Sequence, residues 1–348
     1  MSSGATVTVG GTLDNRYEPE PPRIAAAGRR ARTTGMNTPT LSRRDALRWS
    51  VGPILAAGLG GCGGSSAPSA AGPRKFAVSL QTMNNPFFVE LNDGLKAAVE
   101  AKGDTLLTLD ARHDSAKQRN DLSDAIQQRV AAVFLNPVNW EGVRGSLAEA
   151  KRAGIPVIVV DTAVSDVDLV LAQVESDNVA AGRLAAEALG KVKPAAKVVI
   201  LHHSVAKACI DRVAGFREAA AKFPGLTILD TQEAKGTTEG ARPAMLDLLG
   251  RFDALDAVFA INDPEALGAA SAVEGTPGWA KRGVSIVTVD GSAEGVAAVM
   301  AGRLLATVAQ NPALIGRTAV GLAYDHFAGK PIEKDVKLPV KLITRDSA

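Results

Sequence analysis

From Lys75 almost to its end, the chain alternates short runs of aliphatic and β-branched residues with longer stretches of helical periodicity. Ten runs read as strands: Phe76–Leu80, Thr105–Leu109, Ala132–Leu135, Pro156–Val160, Val170–Val174, Lys197–Leu201, Leu226–Leu229, Ala257–Ile261, Val284–Val289 and Leu304–Val308. They are continuously apolar rather than alternating, the mark of strands covered on both faces in parallel sheets. The segments between them suit amphipathic helices. In the first, Pro86 takes an early helical position with Asn84 or Asn85 as cap, and Phe88, Leu91, Leu95 and Ala98 share one face. Alternating strands and helices imply right-handed crossovers and a doubly wound α/β fold.

Ten strands in a chain of 348 residues suggest two sheets of five or six, hence two lobes. The rhythm breaks at Asp161–Gln173, where a loop-like Thr162–Asp168 leads to another strand instead of a helix. It breaks again at Gln310-Asn311-Pro312, and a late segment, Lys337–Ile343, follows the last helix. Such breaks suit a multi-strand hinge. The expected division is residues 75–175 with 311–339 in an N-terminal lobe, and 176–310 with 340–348 in a C-terminal lobe.

Residues 1–61 read as a leader. The first 35 are rich in Gly, Pro, Arg and Thr without apolar periodicity, a composition that favours disorder, and Met36 is a second candidate start. Ser42-Arg43-Arg44-Asp45 then supplies a twin-arginine run, and an apolar stretch reaches from Trp49 to Gly61. Basic, apolar and small-residue regions in that order are an export signal, and the paired arginines suggest the twin-arginine route. Leu59-Gly60-Gly61-Cys62 matches a lipobox, which makes Cys62 the expected acylation site, with residues 62–74 as a flexible tether. Two acyl chains suffice for stable anchoring to a membrane. No apolar run reaches the roughly 18 residues that a spanning helix needs.

Charge narrows the function classes. Residues 1–61 carry eight arginines against four acids, so the remaining chain holds 31 basic and 33 acidic residues. A slightly acidic body lacks the basic face of a nucleic-acid binder. The two cysteines, Cys62 and Cys209, cannot form a disulfide framework, and Cys209 falls in a helical pattern as a small buried hydrophobe. No G-x-S-x-G elbow, P-loop or G-x-G-x-x-G occurs in the folded region. Neither catalytic residues nor a cofactor or metal is expected. His202-His203 reads as a polar cleft lining or a solvated turn.

Ligands of open α/β sheets bind beyond the carboxyl ends of the strands. Those ends carry Gln81, Asp110, Asn136, Asp161, His202, Asn262 with Asp263, Asp290 and Gln310. Each could serve only as a helix cap. As a set, amides and carboxylates suit a polyhydroxyl ligand. An apolar sugar face stacks on aromatics such as Phe87 and Phe88, with Phe88 on the inward face and Phe87 the better site candidate.

The segment FAVSLQTMNNPFFVEL, Phe76–Leu91, resembles the opening strand and helix of ribose-binding proteins, the type I periplasmic solute-binding proteins of ABC importers. Further similar segments follow in order. They include Val133-Phe134-Leu135-Asn136-Pro137, Gly154 to Asp161, Ser176-Asp177-Asn178, Arg212 to Phe216, Val258 to Asp263, Asp290-Gly291 and Ala306 to Gln310. The resemblance implies two hinged lobes and a ligand-binding set of Gln81, Asn85, Phe87, Phe88, Asn136, Asp161, Arg212, Asn262, Asp290 and Gln310. Arg212 would offer a planar fork to ligand oxygens; a surface ion pair with Asp211 or Glu218 is the alternative.

The chain departs from the ribose binders at Gln81, where they have Ser, and at Thr162, where many have Arg. It also has Gly236 and Val289 at aromatic positions, and His202–Lys207 in place of a glycine-rich turn. The implied function is a monomeric, lipid-anchored extracytoplasmic protein that captures a sugar or polyol and delivers it to an ABC transporter permease. A sensor that passes its ligand signal to a membrane receptor uses the same binding physics. A regulator of the lac repressor type would need a helix-turn-helix where this chain has an export signal.

Overall fold

The computed structural model describes residues 72–347. The twin-arginine run, Cys62 and most of the tether lie outside the described residues. Two six-stranded sheets account for the strands, numbered in chain order. The first holds β1 (Lys75–Leu80), β2 (Thr105–Asp110), β3 (Val133–Leu135), β4 (Val157–Val160), β5 (Ala172–Ser176) and β11 (Asp335–Leu338), in the order β11-β5-β4-β3-β1-β2 and parallel throughout. The second holds β6 (Lys197–His202), β7 (Thr227–Glu233), β8 (Ala257–Ala260), β9 (Ser285–Asp290), β10 (Ala306–Ala309) and β12 (Lys341–Thr344), in the order β12-β10-β9-β8-β6-β7. Only β12 runs antiparallel to its neighbour in that sheet.

The helices are α1 (Pro86–Glu100), α2 (Ser115–Gln127), α3 (Arg144–Arg152), α4 (Asn178–Val192), α5 (Lys207–Ala220), α6 (Thr238–Arg251), α7 (Asp263–Gly275), α8 (Ala293–Met300) and α9 (Pro312–Phe327). Helices α1 and α9 cover one face of the first sheet, and α2 and α3 the other. In the second sheet α4 and α5 cover one face, and α6, α7 and α8 the other. Burial on both faces is why the central strands carry continuous apolar runs, with buried Ser79 and Thr288 among the exceptions. Phe76 stacks on Phe134 inside the first lobe, and Phe216 on Phe259 inside the second, with ring centroids 4.3 Å apart in the latter pair.

Several strand assignments differ from the sequence reading, among them β5, which runs Ala172–Ser176 instead of Val170–Val174. The segment Lys337–Ile343 is parts of two strands, one in each sheet. Both are half-exposed edge strands, so their polar residues hide them from an apolar-run criterion. Strand β7 runs on through Asp230-Thr231-Gln232 to Glu233, because an edge strand with a wet side tolerates polar residues. Strand β10 begins at Ala306, and Leu304 and Leu305 pack on the core in the approach to it.

The chain passes between the sheets at Ser176–Asp177, between β10 and α9, and between β11 and β12. The Asp177 N–H donates to the Leu338 carbonyl at 2.8 Å, tying two of these crossings together. In the second lobe α4 and α5 lie almost backbone to backbone. A Cβ at Gly182 would stand 1.9 Å from the Arg212 carbonyl oxygen, and one at Gly215 would stand 2.0 Å from that of Val179.

Candidate functional site

Residues just beyond the strand ends of both sheets line one cavity of about 520 Å³. From the first lobe come Gln81 after β1, His113 after β2, and Asp161 and Thr162 after β4, with Asn85, Phe87 and Phe88 at the start of α1. From the second come His203 after β6, Arg212 on α5, Lys235 and Gly236 after β7, Asn262 after β8, Asp290 at the end of β9 and Gln310 after β10. Two hydrogen bonds join the lobes beside the cavity. Trp140 N–H donates to the Val205 carbonyl at 3.1 Å, and Ala208 N–H donates to Thr162 Oγ1 at 2.9 Å.

Arg212 is the electrostatic centre. It is buried, its Nε donates to Asn178 Oδ1 at 2.9 Å and its Nη1 to the Ile261 carbonyl at 2.8 Å. Its Nη1 also lies 3.6 Å from Asp290 Oδ1. The surface ion pair is taken up elsewhere, since Asp211 pairs with Lys207 and Glu218 with Arg183. Asp161 and Asp290 sit on either side of the cavity with left-handed backbones, φ 69° and 132°. Non-glycine residues there carry strain of order 1–3 kcal/mol, which clusters at binding sites because it aims a side chain.

Nine of the ten expected ligand residues line the cavity, and Asn136 does not. Fully buried, it stands behind Asp161. Its Nδ2 donates to Asp161 Oδ2 at 2.9 Å and its Oδ1 accepts from Gln81 N–H at 3.1 Å. A strand-end residue reaches the cleft only if nothing covers it, and Asp161 and Gln81 cover this one. Asn136 therefore orients two lining residues. Asn262 both caps and lines: Oδ1 accepts from Glu265 N–H at 3.0 Å and Nδ2 donates to the Gly236 carbonyl at 3.0 Å. Asn85 caps α1 through Phe87 N–H, as one of the two expected caps. Phe87 and Phe88 both line the cavity, edge to face with centroids 5.4 Å apart, so the division between one core and one site aromatic does not hold. Buried Cys209, on α5, also lines the wall, and burial pushes its thiol pKa up.

The model of the periplasmic binding protein domain matches residues 76–331. The chain belongs to that family. Ribose import binding protein RbsB of Bacillus subtilis is 34% identical over 283 residues, covering 80% of this chain and 90% of that one. Among solved structures, an ABC transporter solute binding protein from Mycobacterium smegmatis with bound glycerol superposes with a TM-score of 0.74. It is 32% identical, over 79% of this chain and 95% of that one. The Caulobacter myo-inositol binding protein bound to myo-inositol gives a TM-score of 0.73 at 31% identity, with the same two coverages.

This periplasmic binding protein domain has further lining residues: His113, Thr82 and Lys235, which the sequence did not single out, Asp263, which stood among the strand-end residues, and His203, which the sequence reads as a cleft lining or a solvated turn. His113 sits in a turn with φ 57° after β2, where no strand-end rule places it. His203 Nδ1 lies 3.1 Å from Glu233 Oε1. Asp263 is fully buried and accepts from Ser292 N–H, Ser292 Oγ and Thr307 Oγ1 at 2.7–2.8 Å. Its place directly after Asn262 put it among the strand-end residues. Among the described residues no cluster of three or more His, Cys, Asp or Glu could hold a metal ion.

Burial pushes the Asp161 carboxyl up to about 6 and that of Asp290 up to about 8, in each case against the pull of Arg212. Glu265, fully buried behind Gly236, is pushed up to about 8 by the same cause. The folded protein then holds protons on Asp290 and Glu265 that the unfolded chain releases above the ordinary values of 3.8 and 4.5. Stability from these groups is present at low pH and is lost as pH rises to about 8. His113 and His202, both lowered by burial, oppose this trend only below the ordinary histidine value of 6.5. The melting temperature of the unliganded protein is thus expected to fall between about pH 6.5 and 8.5, and Asp290→Asn to flatten the fall. A melting temperature that rises across that range by calorimetry contradicts the assignment.

Proposed function

We propose that the chain is a lipid-anchored extracytoplasmic solute-binding protein that captures a small polyhydroxylated ligand, a sugar or polyol, between its lobes and delivers it to an ABC importer. The observation that carries this reading is a cavity to which both lobes contribute amides and carboxylates and the second a guanidinium, with an aromatic pair on one wall. Relatives with bound glycerol and myo-inositol support the ligand class. Planar amide and carboxylate groups match vicinal hydroxyls, and the two phenyl rings suit the C–H face of the frame. Three crossings between the sheets make a hinge, so a ligand that touches both lobes favours the closed arrangement. A permease then reads the relative position of the lobes. The protein acts as a monomer and catalyses no reaction.

A thermal-shift screen of sugars and polyols tests the ligand class, because excess ligand raises stability by mass action. At least one compound is expected to raise the melting temperature, and Asp161→Ala to remove that rise while the protein stays folded. An equal rise in the variant removes Asp161 from the site. Anchoring rests on the lipobox at Cys62, and Cys62→Ala is expected to leave a soluble precursor without acyl chains. Normal membrane-bound, acylated protein in that variant, read by mass spectrometry, rejects the anchor.

A further inference from the structure

The cavity lining holds more acidic groups than basic ones. It includes Asp161, Asp263 and Asp290, each more than nine-tenths buried, with Glu239 and Glu294 at the exposed rim. Against them stand buried Arg212 and exposed Lys235. Asp263 is fully engaged by Ser292 and Thr307. Asp290 has Arg212 Nη1 3.6 Å away, on a guanidinium whose Nε and Nη1 already donate to Asn178 and Ile261, and Asp161 has no ion pair among the described residues.

Three side chains on the wall also have unfilled hydrogen-bonding positions. Among the described residues, Asp161 Oδ1 receives no hydrogen bond, since Asn136 serves only Oδ2. Gln310 donates its Nε2 to Asp290 at 2.8 Å, and its buried Oε1 has no partner. The Gln81 side chain, 4% exposed and on the cavity wall, makes no hydrogen bond within the described residues. The Gln310 oxygen is the fully buried one of these, and an acceptor left so costs about 1–3 kcal/mol, so a ligand that supplies a donor there is favoured.

Hydroxyl groups supply donors without charge. A protonated amine supplies three donors and a positive charge, and hydrogen bonds between ions are about twice as strong as neutral ones. We infer that the preferred ligand is an amino sugar or amino polyol, its ammonium seated between Asp161 and Asp290 and its hydroxyls on the amide groups. The inference rests on the binding-protein reading above and names the ligand class within it. Phe87 and Phe88, both on the first lobe, leave the second lobe's wall free for polar contacts.

Matched pairs test it: sorbitol and 1-amino-1-deoxysorbitol, glucose and glucosamine, glycerol and 2-amino-1,3-propanediol. Each is titrated calorimetrically into the full chain at pH 7. In at least one pair the amine is expected to bind at least roughly tenfold tighter than its neutral partner. Asp290→Asn is expected to bring that ratio towards one, and Asp290→Glu to keep most of it. If every pair that binds prefers its neutral member or shows no preference, the inference falls and the sugar or polyol reading stands. If neutral sugars from the wider screen bind and no amine does, the outcome is the same. If no sugar, polyol or amine binds, both readings fall.

Discussion

Replacing Arg212 with methionine is expected to weaken ligand binding by at least about a hundredfold, near 2.8 kcal/mol, and to remove ligand-induced stabilisation. Methionine keeps much of the buried volume and removes the charge and the fork. Asn178 Oδ1 and the Ile261 carbonyl then lose their donor, and Asp290 loses the cation 3.6 Å away. Breaking a buried pair by removing one partner leaves an uncompensated charge, which is why such changes cost about 3–5 kcal/mol when the remaining group stays ionised. Here Asp161 and Asp290 can instead take up protons, since burial already raises both. The folded protein therefore survives with an altered site. Arg212→Lys is expected to rescue little, because a point charge cannot donate along two fixed directions at once. Calorimetry with a compound identified by the thermal-shift screen reads both variants. Affinity within threefold of the parent for Arg212→Met removes Arg212 from the binding site.

Gly182→Val is expected to destabilise the protein by about 3 kcal/mol or more, the upper range for overpacking a tight interface. The nearest atom to the new Cβ is a backbone carbonyl, which cannot rotate away as a side chain can. Helix α5 must move off α4, and it carries Arg212. Gly215→Val meets the reciprocal carbonyl of Val179 and is expected to behave alike. Gly250 and Gly321, in α6 and α9, meet nothing within 4 Å. Alanine there is expected to leave stability unchanged or raise it by about 0.5–1 kcal/mol, through helix propensity alone. Denaturant melts compare the two sets. Equal midpoints for Gly182→Val and Gly321→Ala contradict the close approach of α4 and α5.

The sequence exposed the buried strands well and the wet ones poorly. Strands β1, β3, β4, β6 and β8 are apolar along most of their length because helices cover both sheet faces, and such runs are visible without any partner. Strands β11 and β12 are held by pairing to β5 and β10, residues distant in sequence, and their own side chains announce little. The same distinction governs the site. Gln81, Asp161, Asn262, Asp290 and Gln310 could be listed because each follows an apolar run, and a parallel sheet carries such positions to one edge. Asn136 follows the same rule and still misses the cavity, since depth behind Asp161 depends on how neighbouring strand ends overlap. His113 and His203 come from loops whose course no periodicity describes.

The chain's own order of residues determined the α/β class, the two-lobe division of its strands and the polar character of the sheet ends. Those properties follow from local periodicity and from which residue succeeds each buried run. Tertiary structure alone decided that a buried guanidinium stands 3.6 Å from Asp290, that Asn136 supports rather than lines, and that two glycines set the distance between α4 and α5. Each of these depends on atoms from separate stretches of chain meeting at hydrogen-bond or van der Waals range. No spacing within a single segment encodes such a meeting.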